Sequence, residues 1–159
     1  MRVLVCGSEY GSSLTPIEPP DDENEQFEVK LIACGFDHVM IVTQDNDIYS
    51  IGLNHAGQLA IGDSNVKSDY KTFQKVVSYP FKNQCVKLLA CGYSHNVIVT
   101  ESDEIWVSGS NQYGGLGLGH TTSCNKFVKV PQFTSNSITM LSCGGYHTTL
   151  VTEKNEIWT

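Results

Sequence analysis

Short apolar runs separated by polar breaks of constant length organise this chain. Residues 39–43 (Val-Met-Ile-Val-Thr), 97–100 (Val-Ile-Val-Thr) and 149–152 (Thr-Leu-Val-Thr) are rich in β-branched side chains. Each is followed by four polar residues and then by a second apolar run, at 48–51, 105–107 and 157–159. Runs this short and this branched predict strands, since a helix needs a 3.6-residue apolar period sustained over a longer stretch. The breaks predict hairpin turns. Asn46, Asp103 and Asn155 hold the same place in them, and Asn and Asp accept the left-handed backbone conformation better than other residues with a Cβ.

The spacing of these hairpins reveals an internal repeat. Residues 33–63 align without a gap to residues 90–120, and a third copy opens at 142 and runs through 159. The common frame is Cys-Gly-x-x-His, a strand ending in Thr, the polar turn, and Ile followed by an aromatic. The two longer copies add Gly-x-Asn-x-x-Gly-x-Leu-x-x-Gly. Residues 3–11 look like the part of the unit that begins at Ile105. The expected organisation is a single repeat array over 1–159: a partial repeat at 1–15, an acidic insertion at 16–29, repeats at 30–82 and 83–135, and a truncated repeat at 136–159.

This frame resembles the regulator of chromosome condensation repeat, over nearly the whole chain apart from the acidic segment and the links at 64–82 and 121–137. The resemblance implies an all-β fold, a partial β-propeller of about three blades of short antiparallel strands. Blades would mix strands from consecutive repeats in a ring that is usually seven-bladed. Three units do not close a ring, so the expected state is an open array, or one completed by oligomerisation or by sequence outside the 159 residues. The final strand-like run at 157–159 favours incompleteness. Open blade edges also make self-association possible. Two departures from the family pattern stand out: the usual turn glycine is Asn46, Asp103 or Asn155, and Ala60 replaces the glycine found at Gly117.

Charge narrows the function. The 159 residues carry 10 Lys+Arg against 17 Asp+Glu, net −7, but six of the acids lie in 16–28, which leaves the body near neutrality. No basic cluster offers a phosphate footprint, so direct DNA binding is not expected. No apolar run approaches the length of a membrane span, and none looks like a secretory signal. A cytoplasmic or nuclear protein with six reduced cysteines follows.

Four candidate chemistries follow from particular residues. The pairs Cys34/His38, Cys91/His95 and Cys143/His147 suggest zinc, yet each unit supplies two ligands where a closed site needs four. Their recurrence predicts instead a Cys in each core and a His bonded to neighbouring backbone; no metal and no cofactor are assigned. The glycine-rich run at 114–119 lacks the helix that a phosphate loop requires and reads as a turn. No Gly-x-Ser-x-Gly elbow is present, so no catalytic residue is assigned and the protein is expected not to be an enzyme. The remaining candidates are the residues between Cys-Gly and His. Phe36, Asp37, Tyr93, Ser94 and Tyr146 would lie on one face; the aromatics there either bind a partner or cap the core beneath. The resemblance implies two uses for that face: a protein–protein interaction module, or nucleotide exchange on a Ran-like small GTPase, in which Asp37 would touch the GTPase. Asp37 equally reads as a solvated loop acid.

Overall fold

The computed structural model describes residues 3–7, 11–17, 28–63, 69–131, 133 and 137–159. The centre of the expected acidic insertion, residues 18–27, and the link at 64–68 lie outside the described residues. Among those described there is no helix; all regular structure is antiparallel β.

Strands β1 (Val3–Gly7) and β2 (Gly11–Ile17) form a two-stranded sheet; β2 includes the first two residues of the segment 16–29. The first four-stranded sheet runs β3 (Val29–Cys34), β4 (His38–Thr43), β5 (Ile48–Leu53) and β6 (Asp69–Lys75), in sequence order. The second repeats it with β7 (Val86–Cys91), β8 (His95–Thr100), β9 (Ile105–Gly109) and β10 (Cys124–Lys129). The third has β11 (Ile138–Cys143), β12 (Thr148–Thr152) and β13 (Ile157–Trp158). We call these three sheets the first, second and third blades. Their innermost strands β3, β7 and β11 neighbour one another.

A twisted sheet of four strands has no interior of its own, so its apolar side chains must be buried against another layer. Met40, Val42 and Ile48 of the first blade pack with Ile98, Trp106 and Phe127 of the second. The opposite face of the second blade, Val97, Val99, Ile105 and Val107, packs with Ile138 and Leu150 of the third. β8 is therefore covered on both faces, and every residue of β4 and β8 is buried. That explains why these strands read as continuous apolar runs and not as alternating ones.

The turn residues do more than turn. Asn46, Asp103 and Asn155 have φ of 69°, 58° and 59°, as the sequence predicts. Asn46 also accepts the Val86 amide at 2.8 Å and donates to the Gln84 carbonyl at 2.6 Å. Asp103 accepts the Ile138 amide and the Lys87 ammonium, both at 3.0 Å. The Asn46 and Asp103 side chains thus each hold the start of the next blade's inner strand. Glycine would satisfy the φ but leave those strand-end donors unpaired, which accounts for Asn and Asp here. Ala60 adopts φ 58°, matching Gly117 at 66°, so that loop conformation is kept at some strain.

Two substitutions separate clamp from conformation. Asn46→Ala loses both hydrogen bonds and strains the backbone, and should cost about 3 kcal/mol. Asn46→Gly keeps φ and loses only the bonds, and should cost roughly half of that. Urea denaturation measures both; a Gly variant as stable as the parent would mean that the clamp contributes nothing.

Candidate functional site

The strand order fixes which loops share an end. The Cys-Gly-x-x-His turns join β3 to β4, β7 to β8 and β11 to β12. The loops that leave β5 and β9 emerge at the same end, opposite the polar hairpin turns. All five candidate residues therefore fall on one rim.

The turns are forced against one another by their glycines. A Cβ on Gly35 would meet the His38 ring at 2.1 Å and the Gly92 carbonyl at 2.6 Å; one on Gly92 would meet the His95 ring at 2.1 Å and the Gly144 carbonyl at 2.6 Å. Without side chains there, adjacent turns approach closely enough for the Phe36 amide to donate to the Tyr93 carbonyl (3.3 Å) and the Tyr93 amide to the Gly145 carbonyl (3.1 Å). Rings carried by these turns must then stack. Phe36 and Tyr93 lie nearly parallel, 4.3 Å apart, and Tyr93 and Tyr146 follow at 5.6 Å. Tyr113, from the loop after β9, completes the row with an edge contact to Tyr146 at 4.7 Å.

This row is unusual in its exposure. Phe36 is 62 % exposed, Tyr113 67 % and Tyr146 50 %; only Tyr93 is half-buried among them. With three of the four rings at least half exposed, the row is not a closed cap over the core. Asp37 is half-exposed beside Phe36, and its carbonyl accepts the Leu53 amide at 2.8 Å. Ser94 is only 4 % exposed, because the loop after β5 lies over it. The row borders a cleft of about 470 Å³ between the first and second blades, lined by Tyr93, Ser94 and Tyr146 and by polar groups that include Asn125 and Asp63. Gln58 donates to His55 Nδ1 (3.1 Å), which leaves the His55 Nε2–H to face the Ser94 hydroxyl at 3.3 Å. Sequence reading missed Tyr113 and His55 as members of this surface. The signal was available: both sit in the aligned loops after β5 and β9.

The Cys-x-x-x-His pairs are placed differently from expectation. His38 Nε2 lies 2.6 Å from the Asn96 side-chain oxygen, and His95 Nε2 lies 3.3 Å from the Thr148 hydroxyl. Both histidines thus reach side chains of the following blade, and His95 also bonds the backbone of His147 there. The same Asn96 donates to the Gln58 carbonyl and Thr148 to the Gly115 carbonyl, so one polar side chain on each following blade receives a His and holds a loop. The cysteines are not uniformly in the core either: Cys34 is exposed, while Cys91 and Cys143 are part-buried. Cys91 and Cys143 face the seam with the preceding blade, sharing a face with their register partners Asn96 and Thr148. Among the described residues no three His, Cys, Asp or Glu side chains converge in the way a metal site needs.

Side-by-side antiparallel blades with neighbouring inner strands and inter-blade cores define a β-propeller type of repeat array. Family models agree: the regulator of chromosome condensation (RCC1) repeat matches residues 102–151, and a second model of the same description matches 29–58 and 86–114. The chain belongs to the RCC1 repeat family. The match at 102–151 takes β9 and β10 from one blade and β11 and most of β12 from the next, so repeat and blade are out of phase, as the resemblance implied. Among curated relatives, the chain is 35% identical over 128 residues to the human X-linked retinitis pigmentosa GTPase regulator, covering 80% of this chain and 12% of that protein. It is 33% identical over 131 residues to the Arabidopsis thaliana ultraviolet-B receptor UVR8, covering 82% and 29%. Its fold matches yeast RCC1 (Prp20), solved bound to Kap60, with a TM-score of 0.74 at 18% identity, covering 93% of this chain and 34% of that one. Human WBSCR16 matches at 0.73 and 19%, covering 98% and 38%. The chain spans less than two fifths of the length of each.

Burial at the seams has a consequence for pH. Desolvation lowers the His38 pKa from 6.5 to about 4, against the Asn96 hydrogen bond that would raise it, and the His95 and His55 imidazoles add to the lowering. Its Nδ1 is buried with no partner, so a proton there would be an uncompensated charge. His95 is also lowered by burial and by His147. The unfolded chain therefore binds more protons than the folded one between about pH 6.5 and 4. Stability from His38 is full above 6.5 and falls as pH drops towards 4. Chemical denaturation at pH 7 and pH 5 should differ by about 2 kcal/mol from His38 alone. That difference should shrink in His38→Gln, whose amide can still face Asn96; an unchanged pH slope in the variant would refute the assignment.

Proposed function

We propose that this chain is a non-enzymatic protein–protein interaction module whose binding face is the rim of Cys-Gly-x-x-His turns. The carrying observation is the row Phe36–Tyr93–Tyr146–Tyr113, in which three of four rings are at least half exposed. Exposed, mutually braced aromatics lose little side-chain entropy on binding and supply large contact area, the properties of interface hot spots. The units 30–82, 83–135 and 136–159 act in this reading as one array, since the row crosses all three.

A second reading is regulation of a small GTPase by nucleotide exchange. It is favoured by Asp37 on the rim beside Phe36 and by relatives named as GTPase regulators. In it the rim would remodel the phosphate and magnesium site of the GTPase, with no covalent step. A structure of the yeast relative was reported with its binding properties to Gsp1p and histones; a GTPase and a histone are thus the partner classes to try first.

The double variant Phe36→Ser/Tyr146→Ser should lose more than tenfold in binding to whichever of these partners the parent chain binds. Glu101→Ala/Lys154→Ala, at the opposite end of the blades, should leave binding intact. Equal loss in both, or in neither, would refute the rim. Release of mant-GDP from Ran, faster with the parent chain and restored to the basal rate by Asp37→Ala, would move the assignment to the exchange reading; no acceleration leaves the module reading in place.

A further inference from the structure

Resting on the interaction reading, we propose that the cleft beside the aromatic row binds a proline-rich, extended segment of the partner protein. A main-chain carbonyl of that segment accepts from Asn54 Nδ2. The internal repeat supplies the template. Asn54 and Asn111 hold the same place in the loops after β5 and β9, and each side-chain oxygen accepts a leucine amide at 3.1 Å, from Leu59 and Leu116 respectively. Asn111 then turns its amide nitrogen to two main-chain carbonyls, those of His120 at 2.7 Å and Thr122 at 3.2 Å. Asn54 lines the cleft and is 2 % exposed, and its Nδ2 has no partner among the described residues. A buried donor left unpaired is costly, so an occupant that brings an acceptor to this wall relieves the cost. The second blade shows which acceptor an asparagine at this place takes: a main-chain carbonyl.

The rest of the surface selects among carbonyl-bearing ligands. Two walls of the cleft are Tyr93 and Tyr146, members of the exposed row. Rings stacked as Phe36 and Tyr93 are, 11° apart in plane, turn their edges to solvent, and the edge is the positive part of the ring quadrupole. Carbonyl oxygens suit such edges. A polyproline II segment keeps every carbonyl free of internal hydrogen bonds and has no N–H at its prolines, so it brings acceptors without donors that need pairing. Its rings recur on one side once per turn, roughly 9 Å, close to the two steps of 4.3 and 5.6 Å from Phe36 through Tyr93 to Tyr146. An amphipathic helix consumes its own carbonyls and leaves Asn54 unserved. An added β-strand needs an open strand edge, whereas this cleft is lined mainly by loop residues. A nucleic acid would meet no Lys or Arg among the described residues that line it, and its phosphates need them.

The test titrates the isotope-labelled 159-residue protein with acetyl-decaproline amide and follows amide shifts by NMR, beside a glycine–serine peptide of equal length. The second peptide offers the same carbonyls without the proline rings or the preformed helix. The expected result is saturable shifts of the Asn54 side-chain amide and of the Tyr93 and Ser94 backbone amides, with the glycine–serine peptide about tenfold weaker. Asn54→Asp keeps an oxygen for the Leu59 amide and removes the donor; it should weaken decaproline about fivefold. Tyr113→Ser, at the exposed end of the row, should weaken it about threefold, and it tests the ring contact even where a buried Asp disturbs the loop. Equal binding of both peptides, parent-like binding by either variant, or an Asn54 side-chain amide unmoved at saturation would overturn the proposal. So would the absence of shifts up to about 5 mM decaproline. The interaction reading fails separately, through the rim variants and their partner binding.

Discussion

The grip at each blade seam is the interaction on which the rest of the structure depends. A histidine from one blade and a loop carbonyl from the same blade converge on one polar side chain of the next: His38 and the Gln58 carbonyl on Asn96, His95 and the Gly115 carbonyl on Thr148. At the first seam His38, Asn96 and Gln58 are buried, so each bond there is costly to leave unmade; at the second, His95 is buried and Thr148 part-buried. Because Asn96 donates to the carbonyl, its oxygen is left to accept from the imidazole, which places a proton on His38 Nε2, and burial keeps the ring neutral. Apolar packing supplies the bulk of the attraction between blades, but it is not directional; this grip and the Asn46 and Asp103 clamps at the opposite end set the register in which one blade meets the next. The two ends work as a pair. Between them the inner strands are brought side by side, and Gly35, Gly92 and Gly144 permit the close approach that aligns the rim.

The rim follows as a by-product of that alignment. Identical spacing in the repeats puts whatever residue follows Cys-Gly into a column with its counterparts, and an aromatic at two successive places must stack. Phe36 and Tyr93 are true counterparts and are nearly parallel; Tyr146 belongs one place later in its turn, and its ring meets Tyr93 at a larger distance and tilt. Asp37, Ser94 and Tyr146 are the aligned residues at that later place, and they differ in charge, size and burial. The seam positions carry the architecture and tolerate only groups that can bond across it. The turn positions face outward, where substitution changes the surface and not the register. Recognition on a fixed scaffold is distributed in this way when loops carry it.

Periodicity made the strands, the hairpins and the positive-φ turns readable from the chain alone, because each depends on residues close in sequence. Gly35 and Gly52 could be read as turn glycines but not as contact points; what a Cβ would strike at Gly35 is the carbonyl of Gly92, and that is a property of blade packing. The histidine and cysteine roles went astray for a related reason. A repeat in a layered protein has its core between units, so Cys91 belongs to the seam with the first blade, and His38 finds its partner 58 residues away. The common end of the five candidate site residues was legible, since strand order alone decides it. The cleft was not, because it needs the loop after β5 folded over Ser94 and held by His55, and no local signal in that loop predicts a tertiary closure.

The same seam chemistry makes the array polar. The first and second blades present an imidazole and a loop carbonyl on their forward faces, and the second and third present on their backward faces the Asn96 or Thr148 that receives them; the first blade carries Val39 at that place. These faces are complementary to each other and neither is complementary to itself. The third blade carries the forward features again: His147 is exposed, Asn155 holds the clamp conformation at φ 59°, and Met140, Val151 and Ile157 stand where Leu88, Val99 and Ile105 of the second blade are covered. Met140 is 65 % and Ile157 74 % exposed, whereas Ile105 is 5 %. Two such forward faces set against each other would bury apolar surface but would leave each imidazole and each clamp without its receiver, at a cost of about 1–3 kcal/mol for every buried group left unpaired. A backward face of the same type meets both demands.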